Sequence, residues 1–282
     1  MNPFLAAALF IILAPVVGVL ITGLDRILTA RMQGRVGPPV LQPWYDIRKL
    51  FQKKQVAVWG AQSFFIFCYL IFIIFTGALF FAGGDILLVI FAFTLGHVFL
   101  VLGAYVSYSP YAHIGAEREL IQLMAVEPMI IIVAIGLYQV NDSFLVGDMI
   151  NHPGLPILLL PGVFLGFIYI LTFKLRKSPF DLATSHHAHQ ELVKGSTTEF
   201  SGFTLGMIEL AHIYELVVML GFIWLFFGNN LFLSAVAIVV IMVLEILVDN
   251  CTSRVRWQDA ITSAWFVTLV AGAGNIFALS IM

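Results

Sequence analysis

Eight apolar stretches, each long enough to cross a bilayer, constrain this chain more than any other feature. They cover residues 3–24, 62–82, 86–108, 119–140, 155–173, 203–227, 231–250 and 259–281. A helix needs about 20 apolar residues to span the hydrocarbon core. The runs are too long for barrel strands and lack period-2 alternation. Composition agrees: 61% of residues are hydrophobic and only 11% charged, against about 25% charged in a soluble globular chain. The expected fold is therefore an all-α integral membrane protein, a single membrane domain over 1–282. The first 24 residues lack the basic start of a signal peptide and read as the first span. Two cysteines, Cys68 and Cys251, form neither a disulfide scaffold nor a CxxC or Cys/His cluster. No GxGxxG, P-loop or HExxH motif occurs, and a net charge of −2 gives no reason to expect a nucleic-acid partner.

Two connections are long, 25–61 and 174–202. The first contains Gln42-Pro43-Trp44-Tyr45-Asp46-Ile47-Arg48-Lys49-Leu50-Phe51, in which Trp44, Ile47, Leu50 and Phe51 recur at helical spacing and the basic residues lie off that face. This pattern predicts an amphipathic helix lying in the interface plane. Alternating spans give one side the loops 25–61, 109–118, 174–202 and 251–258. Those loops carry seven, one, four and two Lys/Arg, all 14 in the chain. By the positive-inside rule that side is cytoplasmic and both termini lie outside.

Four carboxylates fall inside spans: Glu127, Glu209, Glu215 and Glu245. Each costs about 2.5–3.5 kcal/mol at mid-helix on insertion scales, which argues for function. On a helix Glu119 and Glu127 sit about 80° apart with Gln122 between them, and Glu209, His212 and Glu215 fit within an arc of about 120°. Glu245 and Asp249 are neighbours at i and i+4. Three helices thus carry polar stripes that, if they face one another, form a wet path inward from the cytoplasmic side. No span core holds a Lys or Arg, so His97 and His212 are the only expected charge partners. Ion or proton handling follows from that; polar glue between helices is the alternative. The cluster His186-His187-Ala188-His189 reads as a solvated or partner-contacting loop rather than a metal site. Gly23, Gly83 and Gly84 read as turn or packing glycines.

Two loops resemble a known family. Arg31-Met32-Gln33-Gly34-Arg35-Val36-Gly37-Pro38, then Leu41-Gln42-Pro43, Asp46 and Lys49-Leu50, resembles the signature loop of subunit 1 of respiratory complex I. Ser178-Pro179-Phe180-Asp181-Leu182, then Glu191-Leu192-Val193-Lys194-Gly195 and Glu199-Phe200, resembles its PFDL…ESELV.G…EY stretch. The first loop is shorter than in complex I, and His189 stands where the second motif has its first acid. In this departure the chain looks like the membrane subunit of the energy-converting [NiFe] hydrogenases, of the Ech and CO-induced types.

That resemblance implies a membrane anchor and ion-coupling subunit in a prokaryotic cell membrane, with no redox centre of its own. The [NiFe] centre and 4Fe-4S clusters would belong to a large subunit and an iron–sulfur small subunit docked on the cytoplasmic face. Ferredoxin would supply electrons, hydrogen would be evolved, and H+ or Na+ would be moved with an antiporter-like membrane subunit. Arg31, Arg35, Gly37, Pro38, Gln42 and Asp46 would shape the docking loop. Asp181, Glu191 and Glu199 would form the entrance of the ion path, continued inward by Glu127, Glu209 and Glu215; the polar stripes read from spacing add Glu119, His212, Glu245 and Asp249 to that path. The complex I acid of the sixth span aligns nearer His212 than Glu209 or Glu215. A quinone-site subunit of an NADH:quinone oxidoreductase-like complex is the alternative within the family, and a free-standing secondary transporter the alternative from another class. The halves of the chain show no repeat that a transporter would predict.

Overall fold

The computed structural model describes residues 2–54, 60–183 and 194–281. Among these the chain is helical, with one isolated antiparallel bridge between Asp85 and Leu145. Seven helices are long and apolar enough to cross a membrane. They are α1 (Pro3–Met32), α3 (Gly60–Phe81), α4 (Ile86–Tyr105), α5 (Pro110–Asn141), α9 (Phe203–Leu225), α10 (Leu231–Cys251) and the last, Trp257–Ile281. The last comprises α11 (Trp257–Val267), a π-helical turn over Thr268–Ala273, and α12 (Gly274–Ile281). The short α2 (Gln42–Gln52) precedes α3, and α6 (Val146–Asn151) follows α5.

The expected span at 155–173 takes a different form. It is broken at Leu160 into α7 (Pro156–Leu159) and the 14-residue α8 (Pro161–Lys174). Pro161 has no N–H to continue a helix through this point. A broken helix in a membrane needs other partners for its backbone, and Asn275 supplies them. Its Oδ1 accepts from Gly162 N and Val163 N at 2.9 and 3.2 Å, and its Nδ2 donates to Leu159 O at 3.2 Å. A single amide from the last span thus caps both sides of the break.

Other boundaries also move. The first helix continues to Met32, so Asp25, Arg26 and Arg31 lie on α1 rather than in a loop. Residues 110–118, expected within the loop 109–118, form the first turns of α5. In both cases the helix outruns its apolar stretch, because apolarity marks the lipid-covered part and not the end of the hydrogen-bond ladder. Pro15 interrupts that ladder in α1 by withholding a donor from Ile11 O, and the Tyr214 hydroxyl donates to that carbonyl at 2.8 Å. Gly83 is a turn glycine (φ +81°), whereas Gly23 is a packing glycine: a Cβ there would collide with the Val40 carbonyl.

The core sits between α3, α4, α5, α8 and α9, where Tyr69, Phe80, Leu100, Met129, Phe167 and Phe226 are fully buried. By contrast, α1, α10 and the last helix keep most of their apolar surface outward. The predicted amphipathic helix exists as α2, but its packed face is Pro43, Ile47 and Leu50. Trp44 is exposed, and Phe51 meets Phe203 edge-on at 5.2 Å.

Candidate functional site

The segment Lys174–Ala183, which begins at the last residue of α8, organises the interior. Its first residues are basic, and three of them turn inward rather than toward solvent. Arg176, in a left-handed conformation (φ 53°), donates through Nη2 to Glu119 Oε1 on α5 at 2.9 Å. Its Nη1 donates to His212 Nε2 on α9. Lys177, 8% exposed, pairs with Asp25 on α1 at 2.9 Å. The Lys174 ammonium lies 4.3 Å from the centre of the Phe93 ring on α4, a cation–π geometry.

The segment then continues as backbone. Ser178 N donates to Asp249 Oδ1 on α10 at 2.8 Å, and Phe180 O accepts from Gln122 Nε2 on α5 at 2.7 Å. Asp181 accepts from Arg254 at 2.7 Å. One short stretch therefore touches helices from both ends of the chain.

The expectation that His97 and His212 are the only charge partners within the membrane is met at Glu215, which His97 faces. Glu119 and Asp25, outside the four mid-span carboxylates, take cations that the span cores do not contain. The span cores hold no Lys or Arg, but the loop after α8 folds back among the helices and brings its cations with it. Buried charge is stable only when paired and hydrogen-bonded, and the motif that looked like a cytoplasmic loop meets that requirement for Glu119 and Asp25. A cluster of three cations within four residues directly after an apolar run was the available signal. Counting them only as positive charges on one face concealed it.

A second buried pair is His97 with Glu215, Nε2 to Oε1 at 3.0 Å, with both side chains nearly inaccessible. His97 Nδ1 lies 3.0 Å from Phe93 O. A carbonyl only accepts, so Nδ1 carries a hydrogen and Nε2 faces the carboxylate. Tyr69, fully buried, places its ring 5.8 Å from that of His97 and 6.3 Å from that of His212. Glu245 is completely buried; Thr172 Oγ1 donates to its Oε1 at 3.3 Å, and its Oε2 has no protein partner among the described residues.

His212, Glu215 and the basic residues Lys174, Arg176 and Lys177 border a cavity of about 390 Å³ that α2 also lines. Asp25, Arg26, Asp46, Glu209, His212 and Glu215 supply its polar wall; Ile47, Leu50, Ile213 and Leu216 supply its apolar one. Of the expected path, Glu119, His212 and Asp249 bond to the basic segment, of which Asp181 is part, and Glu209 lines the cavity with His212 and Glu215. Glu127 is half-buried beside Pro128 and does not border this cavity, but its charge lies within electrostatic range of Lys174. Glu199 is half-buried after the turn Gly195–Thr197. Glu191 and the histidines 186, 187 and 189 lie outside the described residues. Among the described residues no three His, Cys, Asp or Glu side chains are placed to hold a metal ion.

The expected docking loop packs against α1. A Cβ at Gly37 would lie 2.9 Å from Ile27 Cα, while Arg31 and Arg35 are exposed. Asp46 accepts from Arg26 at 2.7 Å and from Gln42 at 3.0 Å. Partial burial works to raise the Asp46 pKa, but the Arg26 and Gln42 hydrogen bonds and the charges of Arg26 and Lys49 outweigh it and hold the carboxyl below its ordinary value.

The family model for NADH dehydrogenase matches residues 5–280. The chain belongs to that family. This NADH dehydrogenase-family subunit is 29% identical to hydrogenase-4 component C of Escherichia coli over 97% of its own length and 94% of the relative's. It is 26% identical to formate hydrogenlyase subunit 4 of the same organism, covering 98% and 95%. Among solved structures it is similar to a chain of the membrane-bound sulfane sulfur reductase, an archaeal respiratory membrane complex, with TM-score 0.83 and 27% identity over 99% of this chain and 100% of that one. The chain is thus a multi-pass cell-membrane subunit of a hydrogenase- or complex I-like oxidoreductase complex.

Proposed function

We propose that this subunit anchors a peripheral [NiFe] hydrogenase arm on the cytoplasmic face and couples its chemistry to ion translocation. Ferredoxin would feed electrons through 4Fe-4S clusters of the small subunit to the [NiFe] centre of the large subunit, and an antiporter-like membrane subunit would share the ion movement. The observation that carries this reading is the basic segment 174–181, whose Arg176, Lys177 and backbone tie Glu119, Asp25 and Asp249 on three helices into one electrostatic unit. Such a unit responds as a whole to charge arriving at its cytoplasmic end, because in low dielectric a change at one member shifts its neighbours. The names of the two bacterial relatives support the hydrogenase branch.

A second reading has its own observation. The cavity under α2, with one polar and one apolar wall, has the character of a site for an amphipathic redox carrier such as a quinone. One experiment separates the two. The complex is purified in mild detergent and reconstituted so that the arm faces outward. Nickel-dependent hydrogen evolution from reduced ferredoxin, with ion uptake into the vesicles, supports the first reading. Quinone reduction without hydrogen chemistry establishes the second instead.

A further inference from the structure

A second, small cavity of about 20 Å³ lies between Glu119 and the His97–Glu215 pair, with Gln122, Val126, Lys174 and Arg176 also in its wall. A space of roughly 10–15 Å³ holds one water when it offers two to four polar partners. Glu119 meets that condition from one side. Its Oε1 is taken by Arg176, while its Oε2 is buried and has no protein partner among the described residues. Glu215 and Lys174 supply an acceptor and a donor from the other side.

Glu215 has a further property. Among the carboxylates bordering these two spaces, it alone lines both the small cavity and the large one under α2. The alternative route, from Glu119 to His212, is obstructed. Arg176 donates to His212 Nε2, so that nitrogen cannot take a proton without losing the guanidinium.

We propose that the small cavity is a water site joining Glu119 to Glu215, so that protons pass Arg176 by way of one bound water and the His97–Glu215 pair. In the transfer step, a protonated Glu119 gives its proton to the water oxygen as the water gives one of its own to the Glu215 carboxylate. The water is regenerated, and one proton has moved. His97 is a positioning residue: anchored to Phe93 O through Nδ1, it fixes the Glu215 carboxylate through Nε2. This inference rests on the coupling role proposed above and specifies the path within it.

The test fills the space without touching a charge. Val126 is 2% exposed, and Val126→Ile adds one methylene to the cavity wall. Val126→Ala, which enlarges it, is the control. The intact complex is imaged at a resolution that shows ordered water. Wild type and V126A should show density within hydrogen-bond distance of Glu119 Oε2, and V126I none. Hydrogen-linked ion uptake, normalised to assembled complex, should drop at least about tenfold in V126I, since a lost proton-transfer partner costs 10²–10⁴-fold in the usual case. V126A, which leaves room for the water, should pump several-fold faster than V126I. An empty wild-type cavity overturns the water site. V126I pumping at the wild-type rate overturns the path. Wild-type vesicles that make hydrogen without ion uptake overturn the coupling role itself, and the path with it, whatever the density shows.

Discussion

Arg176 Nη2 and Glu119 Oε1 lie 2.9 Å apart, which fastens the loop after α8 to the interior of α5. Their side chains are only 16% and 6% exposed. Removing one member of a buried pair leaves the other charge uncompensated, at about 3–5 kcal/mol. Arg176→Leu should therefore destabilise the purified subunit by about that amount, and Arg176→Leu with Glu119→Gln by clearly less. A double-mutant cycle of denaturant unfolding in detergent measures the difference. Additive losses would show that the two residues do not act as a pair.

Why this pair was hidden in the sequence, while the spans were not, has a physical reason. Apolar length is a local property, and it located seven spanning helices and the amphipathic α2 from their residues alone. The i, i+3 and i, i+4 spacings likewise placed Glu209, His212 and Glu215 on one helix, and His212 and Glu215 do border the same cavity. Pairing across helices is not local. Arg176 and Glu119 are 57 residues apart, and Lys177 and Asp25 farther still. The break at Leu160 was concealed for a similar reason, since its repair by Asn275 comes from the opposite end of the chain.

Membrane orientation follows from the charge asymmetry. If α7 and α8 together complete an eighth crossing, all Lys and Arg fall on one side and both termini face outward. In a background lacking Cys68 and Cys251, single cysteines at Lys53 and Lys194 should react with impermeant reagents only from the cytoplasm. Cysteines at Asp148 and Asn229 should react only from outside; all four positions are exposed. Labelling of Asp148→Cys from the cytoplasm would refute the crossing count.

The docking loop depends on two close approaches to α1. A side chain at Gly23 would meet the Val40 carbonyl, and one at Gly37 the backbone of Ile27. Overpacking of this kind costs about 1–3 kcal/mol and moves backbone. Gly23→Val should thus displace the loop that carries Arg35, and the peripheral subunits should dissociate during native electrophoresis while the membrane part stays folded. An intact complex would separate the loop's packing from its docking role.

The Arg26–Asp46 bond predicts a pH response in α2. The folded Asp46 pKa is lowered, so its stabilising contribution is complete above the unfolded value, about 4. The contribution is lost as pH falls through the lower folded value. Hydrogen exchange of Gln42–Gln52 should therefore accelerate in strong acid. In Asp46→Asn that acid-dependent increment should shrink. An unchanged acid response in Asp46→Asn would assign the effect to another group.

Glu245 gives the sharpest test of whether these carboxylates carry charge or only hold helices together. It is completely buried on α10, receives the Thr172 hydroxyl at 3.3 Å, and has one oxygen without a protein partner among the described residues. As helix glue, an amide serves at least as well, because Gln keeps an acceptor for Thr172 and adds a donor. Glu245→Gln would then leave both assembly and ion uptake intact. As part of a charge relay, Glu245 must gain and lose a proton, which Gln cannot do. Glu245→Gln should then assemble normally, with stability within about 1 kcal/mol of wild type, yet abolish hydrogen-linked ion uptake. Thr172→Val separates the roles further. It removes the hydrogen bond but not the titrating group, and should slow uptake without abolishing it. Uptake by inverted vesicles, normalised to assembled complex, reads both variants. Wild-type uptake in Glu245→Gln would return this residue to a structural role.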